Sequence, residues 1–392
     1  MSYTIAIAGA GIGGLTAATF LAQQGHDVCV FDQFEAPKPV GSGLVIQPVG
    51  QAVLDEIGAG DTARAKGAPI RRMLGHEADS GKPVLDVLYD RAPEGRNYGL
   101  AIHRAALFDA IYAAAKAAGG SIHPAHSVRA IAGQSLRFDG QPDQGPFDLI
   151  VDACGASSPL SAMQARPLPY GAIWGTVDWP ETGLPKDQLS QCYRRADRMM
   201  GVLPIGSLPG SEAPKAAVFW SLPRDAYDDW RAAPLRAWRS EATALWPDIA
   251  PFVEQITDHD QMTIARYAHG TLATPYGDRL AIIGDAAHKA SPQLGQGANM
   301  ALLDASALAK ALDQYPLGEA LRAYALARRW HVWIYQAMSW AFTPQYQSDS
   351  LWLPKLRDNV LFPISQFGPI PRVLTRLVRG DMVPPMAQLT PR

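Results

Sequence analysis

The sequence has few of the residues that mark a secreted, metal-binding or membrane-spanning protein. Only three of its 392 residues are cysteines, Cys29, Cys154 and Cys192, and their wide spacing indicates neither a disulfide framework nor a metal site. No apolar run approaches the roughly 20 residues that a membrane-spanning helix needs, and no basic leader precedes the first apolar segment. We therefore expect a cytoplasmic protein without metal and without an integral membrane span.

The chain also lacks an excess of charge of either sign. Its 35 Lys and Arg residues nearly balance its 37 Asp and Glu residues, which leaves a net charge of −2. A surface for nucleic acid would need a clear positive excess, so we expect no nucleic-acid partner. The length allows a large core in two structural lobes, and the sequence leaves open whether the protein is a monomer or a homodimer.

What the chain does contain is a glycine fingerprint at its start. An apolar strand is predicted at Thr4–Ala8, and a helix ends near Gln24. Between strand and helix stand Gly9, Gly11, Gly13 and Gly14. Such glycines allow a tight turn, a close approach to a pyrophosphate and close helix packing, and a helix N-terminus attracts phosphate. Asp32 ends the next strand, where a carboxylate binds the ribose of a dinucleotide, and we add Gln33 to the predicted cofactor-binding residues.

A second motif lies between residues 277 and 299. A short apolar run leads to Gly284 and Asp285, and a loop with Pro292 then leads to an apolar-periodic segment from Ala298 to Leu312. This order predicts a buried strand that delivers a carboxylate to its end, followed by a helix whose N-terminus faces a ligand.

Together the two motifs resemble the flavin-binding signature of the para-hydroxybenzoate hydroxylase-like family, the FAD-dependent aromatic hydroxylases or group A flavin monooxygenases. The resemblance implies that Asp285 hydrogen-bonds the ribityl chain of FAD and that Pro292 lies beside the isoalloxazine ring. It also implies that the following backbone faces the pyrimidine end, where a helix N-terminus stabilises the anionic reduced flavin. The cofactor-binding residues predicted here are Gly284, Asp285, Pro292, Gly295, Gln296, Gly297, Ala298 and Asn299.

Two further segments resemble the same family. Residues 41–48, which include Gly43, resemble its loop after the second strand. The segment from His103 to Leu107 resembles its Arg-x-x-Leu helix start, which implies that Arg104 contacts the ribose or pyrophosphate of FAD. The alternative for Arg104 is a plain surface residue, although the helix dipole disfavours a cation at this end.

One segment departs from the family pattern. Cys154 stands where the family usually has an Asp, and Ser161 stands where an Arg is common. The family associates this segment with FAD and NAD(P)H, so the departure bears on reduction by a nicotinamide. Cys154 is either a reactive thiol near the cofactor or, the interpretation we prefer, a small apolar filler at a strand end. For His288 we likewise prefer a loop histidine bonded to backbone over a catalytic residue.

The order of elements predicts an α/β fold with a Rossmann-like FAD-binding domain, an inserted, mostly antiparallel β-sheet substrate domain and a C-terminal helical region. The expected bounds are 1–71, 96–166 and 268–343 for the FAD-binding domain, 72–95 and 167–267 for the sheet domain, and 344–392 for the tail. Candidates to line a substrate pocket are Pro292, Trp174, Tyr193, Trp220 and Tyr227. The apolar tail residues from Leu351 to Phe362 are expected to cover the flavin lobe, with a partner subunit or a membrane surface as alternatives.

The resemblance implies an FAD-dependent monooxygenase that hydroxylates an aromatic or similarly electron-rich small molecule. NADH or NADPH would reduce the flavin, O2 would form a flavin C4a-hydroperoxide, and the apolar sheet would exclude water. The alternative is an FAD-dependent oxidase or reductase of a small hydrophobic substrate without oxygen insertion. A halogenase is disfavoured because residues 174–180 do not fit the Trp-x-Trp-x-Ile-Pro stretch of those enzymes, and an FAD-retaining binding protein is the remaining alternative.

Overall fold

The computed structural model describes residues 2–35, 42–91 and 95–390, so Gly41 of the predicted loop 41–48 lies outside the described residues. The strands are β1 Thr4–Ala8, β2 Asp27–Phe31, β3 Gly43–Ile46, β4 Ala68–Ile70, β5 Arg72–Glu77, β6 Pro83–Leu88, β7 Gly99–His103, β8 Ser121–His123, β9 Val128–Ala132, β10 Ser135–Phe138, β11 Leu149–Asp152, β12 Arg166–Asp178, β13 Gln188–Arg194, β14 Arg198–Pro204, β15 Lys215–Pro223, β16 Met262–Thr271, β17 Tyr276–Gly277, β18 Leu280–Ile282 and β19 His288–Lys289. The α-helices are α1 Ile12–Gln23, α2 Pro48–Glu56, α3 Gly60–Lys66, α4 Arg104–Ala117, α5 Tyr227–Ala232, α6 Leu235–Leu245, α7 Ala250–Val253, α8 Gly297–Gln314, α9 Leu317–Tyr346, α10 Leu353–Leu356, α11 Phe362–Ser365 and α12 Ile370–Arg379.

The first lobe is built on a six-stranded sheet in the order β17-β18-β11-β1-β2-β8. The strands from β18 to β8 are parallel, and only the short β17 is antiparallel to its neighbour. Helices α4 and α8 both pack against α1 beside this sheet. The apolar side chains of β1 are almost fully buried, as expected for a parallel strand covered on both faces. The predicted Rossmann-like lobe is confirmed.

The second lobe is an eight-stranded sheet in the order β19-β16-β12-β15-β14-β13-β5-β6. Every neighbouring pair is antiparallel except β13 and β5, which are parallel. The inserted, mostly antiparallel sheet is therefore confirmed. Helices α5 to α7 cover one face of it, where Trp238 and Phe252 pack with Trp220. A separate three-stranded sheet, β3-β7-β4, belongs to the part of the chain that connects the lobes.

The C-terminal region is helical, but its packing differs from the expectation. Helix α9 runs past the expected boundary at residue 344. Leu351 and Leu361 are exposed, whereas Leu377 and Val378 of α12 are buried. The intramolecular cover is therefore supplied mainly by α12 and the segment after it, because their apolar side is the one turned toward α8 and α9. Within the described ranges, no helix has both the length and the apolar character needed to cross a membrane.

Candidate functional site

In the glycine turn after β1, two glycines lie too close to other backbone atoms for a side chain, and a third faces open space. Gly9 has a φ of +104°, and a Cβ atom there would lie 2.5 Å from the Ala153 carbonyl oxygen. A Cβ on Gly14 would lie 1.9 Å from the Gly9 carbonyl oxygen. A Cβ on Gly11 would meet no atom within 4 Å. Gly9 and Gly14 thus permit the packing of strand and helix, while the backbone at Gly11 faces open space.

Gly13 and Gly284 bring the two motifs together. A Cβ on Gly13 would lie 3.2 Å from Cβ of Ala301, and a Cβ on Gly284 would lie 3.1 Å from the same atom. Ala301 belongs to α8, so α1 and the Gly284–Asp285 turn approach the same point of that helix. The structure therefore places Gly13 in helix packing.

Asp32 holds the glycine turn against the end of β2. One carboxylate oxygen accepts from the Ala10 amide at 2.6 Å, and the other accepts from the Phe34 amide at 3.0 Å. Each oxygen has a second lone pair, so these bonds leave acceptors for a ribose hydroxyl. Gln33 lies next to it and is exposed. Helix α1 has no side-chain cap, so the amides of its first turn are available to an anion.

Asp285 and Arg104 face one cavity from different elements. Asp285 follows β18 and Arg104 begins α4, and both side chains are exposed to the cavity. Desolvation by the surrounding protein raises the pKa of Asp285, while the nearby His288 and Arg104 act in the opposite direction. A carboxylate and a guanidinium therefore stand ready for hydroxyl and phosphate groups of one ligand.

The loop from Pro292 to Ala298 forms a wall of the same cavity. A short 3-10 turn, Pro292–Leu294, ends at Gly295, whose φ of +59° suits glycine. Helix α8 then begins without a side-chain cap, and its first residues Gly297 and Ala298 line the cavity. The amides of this turn and the helix dipole therefore create a positive end that faces the cavity.

Asn299 is placed differently from the prediction. It is fully buried and does not line the cavity. Its Oδ1 accepts from the Gln47 amide at 2.8 Å, and its Nδ2 donates to the Val45 and Gly295 carbonyls at 3.2 and 2.9 Å. These bonds occupy both donors of the amide, so Asn299 ties the β3 loop to α8 and positions Gly295 and Gln47.

The cavity has a volume of about 520 Å³ and lies between the two lobes, a size typical of small-molecule sites. On the side of the first lobe its lining includes Gly43, Gln47, Arg104, Asp285, His288, Ser291, Pro292, Gly295, Gln296, Gly297 and Ala298. On the sheet side it is lined by Met73, Trp174, Leu189, Gln191, Met199, Leu203, Phe219, Thr263, Ile264, Ala265 and Tyr267. Among the described lining residues, the charged side chains are therefore confined to the first lobe.

Two of the predicted pocket residues, Trp174 and Pro292, line the cavity. The indole Nε1 of Trp174 donates to the Tyr267 hydroxyl oxygen at 2.9 Å, and its ring packs 4.6 Å from that of Phe219. Burial raises the pKa of Tyr267 to about 12, so its hydroxyl keeps its proton. Because this oxygen already accepts from the indole, its proton is available to a molecule in the cavity.

The other aromatic pocket candidates do not line the cavity. Trp220 is the neighbour of Phe219 on β15, and successive strand residues point to opposite faces, so Trp220 lies under α6 against Trp238. Tyr193 lies beyond the cavity and packs on Tyr346. Tyr227 belongs to α5, on the outer face of the sheet. These three residues do not line the cavity as predicted. For Trp220 and Tyr193 the sequence alone does not tell which strand face, or which part of it, meets the cavity, and Tyr227 belongs to a helix on the opposite face.

His288 belongs to a buried charged network. Its Nε2 lies 2.6 Å from Oδ2 of Asp304, and Arg328 Nε donates to Oδ1 of the same carboxylate at 2.8 Å. Burial would raise the pKa of Asp304, but its contacts with His288 and Arg328 hold that pKa well below its usual range. The expectation of a histidine side chain bonded to backbone is therefore wrong, because the imidazole is held by a carboxylate.

Cys154 has the environment of a filler residue. Its thiol donates to the Ala8 carbonyl at 3.4 Å and its amide donates to Asp152 at 3.0 Å. Burial, followed by the Asp152 carboxylate, raises the pKa of the Cys154 thiol, which disfavours the reactive thiolate. Ser161 donates to the Ala286 carbonyl at 2.6 Å, so it connects this segment to the turn that carries Asp285.

Several residues of the site went unnoticed in the sequence. Asp304 lies at a core position of an otherwise apolar helical face. Because an acidic residue is rarely buried without a partner, its position in the sequence already indicates a structural or functional role. Gln47 and Tyr267 carry no signal that distinguishes them from ordinary core or loop residues. Among the described residues no group of His, Cys, Asp or Glu could hold a metal ion.

Comparison with known proteins matches this arrangement of motifs. The family described as FAD binding domain matches residues 2–136 and 171–333. Kynurenine 3-monooxygenase of Xanthomonas campestris pv. campestris (strain 8004) is 30% identical over 357 residues, covering 83% of this chain and 75% of that protein. The 3-amino-4-hydroxybenzoate 2-monooxygenase of Streptomyces cremeus is 29% identical over 345 residues, covering 82% of each chain.

Solved structures show the same fold. The tetrameric form of 2-methyl-3-hydroxypyridine-5-carboxylic acid oxygenase has a TM-score of 0.80 at 20% identity, covering 97% of this chain and 98% of that chain. Klebsiella pneumoniae HpxO complexed with FAD and uric acid also has a TM-score of 0.80 at 20% identity, covering 96% and 97% of the two chains.

Proposed function

Because the chain belongs to the family of FAD-dependent aromatic hydroxylases that share the FAD binding domain, we propose that it hydroxylates a small aromatic or N-heteroaromatic molecule that carries no charge. The relatives act on kynurenine and on an aminohydroxybenzoate. NAD(P)H and O2 are the co-substrates of the proposed reaction. When bound, FAD takes electrons from NADH or NADPH and activates O2 for transfer of one oxygen atom to the ring.

The residues present fit FAD. The open backbone face at Gly11 and the uncapped start of α1 leave room and donors for the pyrophosphate. A Cβ on Gly297 would also meet no atom within 4 Å, so the backbone at the start of α8 is open to a ring system. We propose that Asp32 binds the adenosine ribose and that Asp285 and Arg104 bind the ribityl and pyrophosphate part.

The observation that carries the proposal of an uncharged substrate is the distribution of charge around the cavity. Its described sheet side consists of apolar residues with the neutral polar groups of Gln191, Thr263 and Tyr267. Burial of an unpaired carboxylate there would be costly. Arg104, the described cation that could pair with one, lies on the side assigned to FAD. The substrate part of the cavity therefore favours a ring whose polar groups are hydroxyl or N–H.

The protein's own contribution is to hold the ring, exclude water and stabilise developing charge. The Tyr267 hydroxyl, positioned by Trp174, donates a hydrogen bond to a polar atom of the substrate. Apolar side chains such as Leu203 and Phe219 restrict access of water to the reacting atoms. The positive N-terminal end of α8, at Gly297, stabilises negative charge on its side of the cavity.

We also propose the expected division into domains, although β16 and α9 each extend past one of its bounds. Strands β5 and β6 join the eight-stranded sheet from a distant part of the chain, which supports assignment of residues 72–95 and 167–267 to the substrate. Residues 1–71, 96–166 and 268–343 would bind FAD, and 344–392 would form the tail. Three free thiols agree with a cytoplasmic location, and size-exclusion chromatography with light scattering would separate a monomer from a homodimer.

The test uses the purified protein loaded with FAD. NADH and NADPH oxidation would be followed with paired compounds: phenol and 4-hydroxybenzoate, indole and indole-3-carboxylate, and 2-hydroxypyridine and its carboxylate. We expect turnover of uncharged members, with products heavier by one oxygen atom, and carboxylated partners with kcat/KM at least about tenfold lower, since a buried unpaired charge costs several kcal/mol. Preference for the carboxylates would contradict the proposal.

The same assay separates hydroxylation from the alternative, an oxidase or reductase without oxygen insertion. The observation that supports this alternative is Cys154, which stands where the family usually has an Asp and whose side chain serves packing. An oxidised or reduced product without added oxygen would support it. A protein that never shows flavin absorbance after incubation with FAD would overturn both.

A further inference from the structure

Helix α9 presents three exposed tryptophans. Trp330, Trp333 and Trp340 leave 57%, 60% and 68% of their surface accessible to solvent. The rings of Trp330 and Trp333 lie 5.9 Å apart, and Ala337, between Trp333 and Trp340 in sequence, is exposed as well. A group of exposed large apolar side chains on one helix marks a contact surface, and we name these three tryptophans the tryptophan face.

The composition around the tryptophan face is that of a protein interface. From residue 320 to residue 348 the chain contains three arginines and no Lys, Asp or Glu. Arg328 is buried, whereas Arg322 and Arg329 are exposed. Centres of protein interfaces are rich in Trp and Arg and poor in Lys, Asp and Glu, whereas surfaces that bind anionic lipid carry clusters of Lys and Arg. A protein partner therefore fits this face better than a membrane does.

The exposed arginines and tryptophans lie on one line along α9. Steps of four and three residues return a side chain to the same side of a helix, and such steps define the seam of a coiled coil. In α9 this seam consists of Arg322, Leu326, Arg329, Trp333, Gln336 and Trp340. Leu326 and Gln336 are half-buried, and the other four residues are exposed. The seam therefore offers a continuous contact line of about 27 Å.

The seam is self-complementary. Its N-terminal half carries Arg322 and Arg329, and its C-terminal half carries Trp333 and Trp340. If two α9 helices pack antiparallel about a twofold axis at the level of residue 331, Arg322 meets the partner's Trp340 and Arg329 meets the partner's Trp333. A guanidinium over an indole ring is attractive, and twofold symmetry forms each pair twice. Parallel packing would instead place arginine against arginine, which is unfavourable.

We propose that the tryptophan face binds a second copy of this chain, with the two α9 helices antiparallel across a twofold axis. Within one chain the Arg329 guanidinium already lies over the Trp330 ring, 5.5 Å from its centre, so it is held beside the seam. Gln336 of the seam also lines the cavity, so the contact braces one wall of the cavity. The pairing does not depend on the reaction that the cavity performs.

The area of the seam fits a reversible dimer. Contact would remove on the order of 600 Å² of tryptophan and arginine surface from each chain. Specific interfaces remove about 800 Å² per partner, and weak or transient ones remove less. We therefore expect a dimer that forms at micromolar concentration of the chain and dissociates on dilution.

The experiment measures dissociation of the dimer with the full chain loaded with FAD. Size-exclusion chromatography with light scattering and sedimentation velocity over a dilution series give the dimer Kd. Trp333→Ser and Trp340→Ser should each raise this Kd by about tenfold or more, as for residues at the centre of an interface. Both side chains are exposed in the single chain, so flavin absorbance and melting temperature should match those of the wild type at concentrations where the wild type is monomeric.

A charge exchange tests the antiparallel register. Arg322→Glu and Trp340→Arg should each raise the Kd by about tenfold or more, because the first loses the cation–π contact and the second places two arginines together. In the variant that combines both changes, the introduced carboxylate faces the introduced guanidinium of the partner. The Kd of the combined variant should therefore return to within about threefold of the wild-type value.

Two controls keep the result specific. Trp333→Phe retains an aromatic ring in the seam and should change the Kd by less than about threefold. Lys116→Glu reverses an exposed charge on α4, a helix that contacts α1, while α1 contacts α8 and α8 contacts α9. Because two helices separate Lys116 from the seam, its replacement should leave the Kd within about twofold.

Each contrary outcome has a distinct meaning. A chain that stays monomeric at submillimolar concentration would overturn the proposal, and so would a dimer that Trp333→Ser and Trp340→Ser leave unchanged. Independent losses in the combined Arg322→Glu and Trp340→Arg variant would overturn the antiparallel pairing. Binding to vesicles of phosphatidylcholine and phosphatidylglycerol in equal parts, lost in Trp340→Ser and without any dimer, would reject the second copy and assign the tryptophan face to a membrane.

Discussion

Oδ2 of Asp304 lies 2.6 Å from Nε2 of His288 and accepts the Gly284 amide at 3.0 Å. One buried carboxylate of α8 therefore holds both ends of the short segment that presents Asp285 to the cavity. Arg328 binds the other oxygen of Asp304 at 2.8 Å and also donates to the Pro385 carbonyl, which ties the C-terminal segment to the same point. The position of Asp285 thus depends on Asp304 and Arg328, which do not line the cavity.

Asp285 and Asp304 are expected to respond differently to the same replacement. Asp285→Asn keeps the fold and weakens FAD binding by about tenfold or more, because a charged acceptor facing the cavity is lost. Asp304→Asn lowers the free energy of unfolding by about 3–5 kcal/mol, since Arg328 loses its buried partner. Flavin absorbance after dialysis and urea unfolding would measure the two effects. Comparable destabilisation by Asp285→Asn would contradict the assignment.

The glycine turn offers a matched pair of variants. Gly14→Ala places a Cβ 1.9 Å from the Gly9 carbonyl oxygen, so we expect a loss of about 1–3 kcal/mol or more in stability from overpacking. Gly11→Ala meets no protein atom, so its melting temperature without FAD should stay near that of the wild type while FAD affinity falls. Thermal unfolding with and without FAD separates the two. Normal FAD binding by Gly11→Ala would show that the open face is not the phosphate site.

His331 predicts loss of stability in mild acid. Burial, with a smaller effect of Arg328, lowers the pKa of His331 to about 3 from its ordinary 6.5. The folded state therefore binds fewer protons than the unfolded state between these values, so this stability is fully present above pH 6.5 and is lost toward pH 3, at up to about 1.4 kcal/mol per pH unit. His331→Gln should flatten that slope in urea unfolding measured at several pH values. An unchanged slope would assign the acid sensitivity to other groups.

Trp174 and Trp220 lie on opposite faces of the eight-stranded sheet and should differ in effect. Trp174→Phe removes the indole N–H that holds the Tyr267 hydroxyl, so we expect about tenfold weaker binding of phenols, equivalent to a lost hydrogen bond of about 1–2 kcal/mol. Trp220→Phe, buried against Trp238, should lower stability and leave phenol affinity unchanged. Isothermal titration with 4-nitrophenol and urea unfolding give the comparison. Equal effects of both variants on affinity would place the substrate elsewhere.

Much of the first lobe could be read from the order of residues. The strand Thr4–Ala8 has the predicted bounds, because a parallel strand buried on both faces is a continuous apolar run bounded by glycine. The predicted helix end near Gln24 is followed by Gly25, whose left-handed φ of +83° is typical of a glycine just after a helix. The placement of residues 72–88 in the second lobe was also predicted, although the pairing of β5 with β13 was not.

Other elements escaped prediction because their local pattern is ambiguous. Strand β16, Met262–Thr271, mixes apolar residues with Arg266 and His269 and lacks the regular alternation of a half-buried strand. Its extended form comes from pairing with β12 and β19. Helix α9 extends through Pro344, where local propensity favours a break.

The sequence by itself predicted the glycine turn, the strand-end carboxylate and the helix start, because these are local features tied to backbone conformation. Only the tertiary structure decided which side chains share the cavity. Phe219 and Trp220 are neighbours in sequence but face opposite sides of a sheet, whereas Ser291 and Ser339 are distant in sequence and their Oγ atoms lie 3.0 Å apart. A hydrogen bond depends on distances of a few tenths of an ångström, and only the packing of one element on another sets such distances.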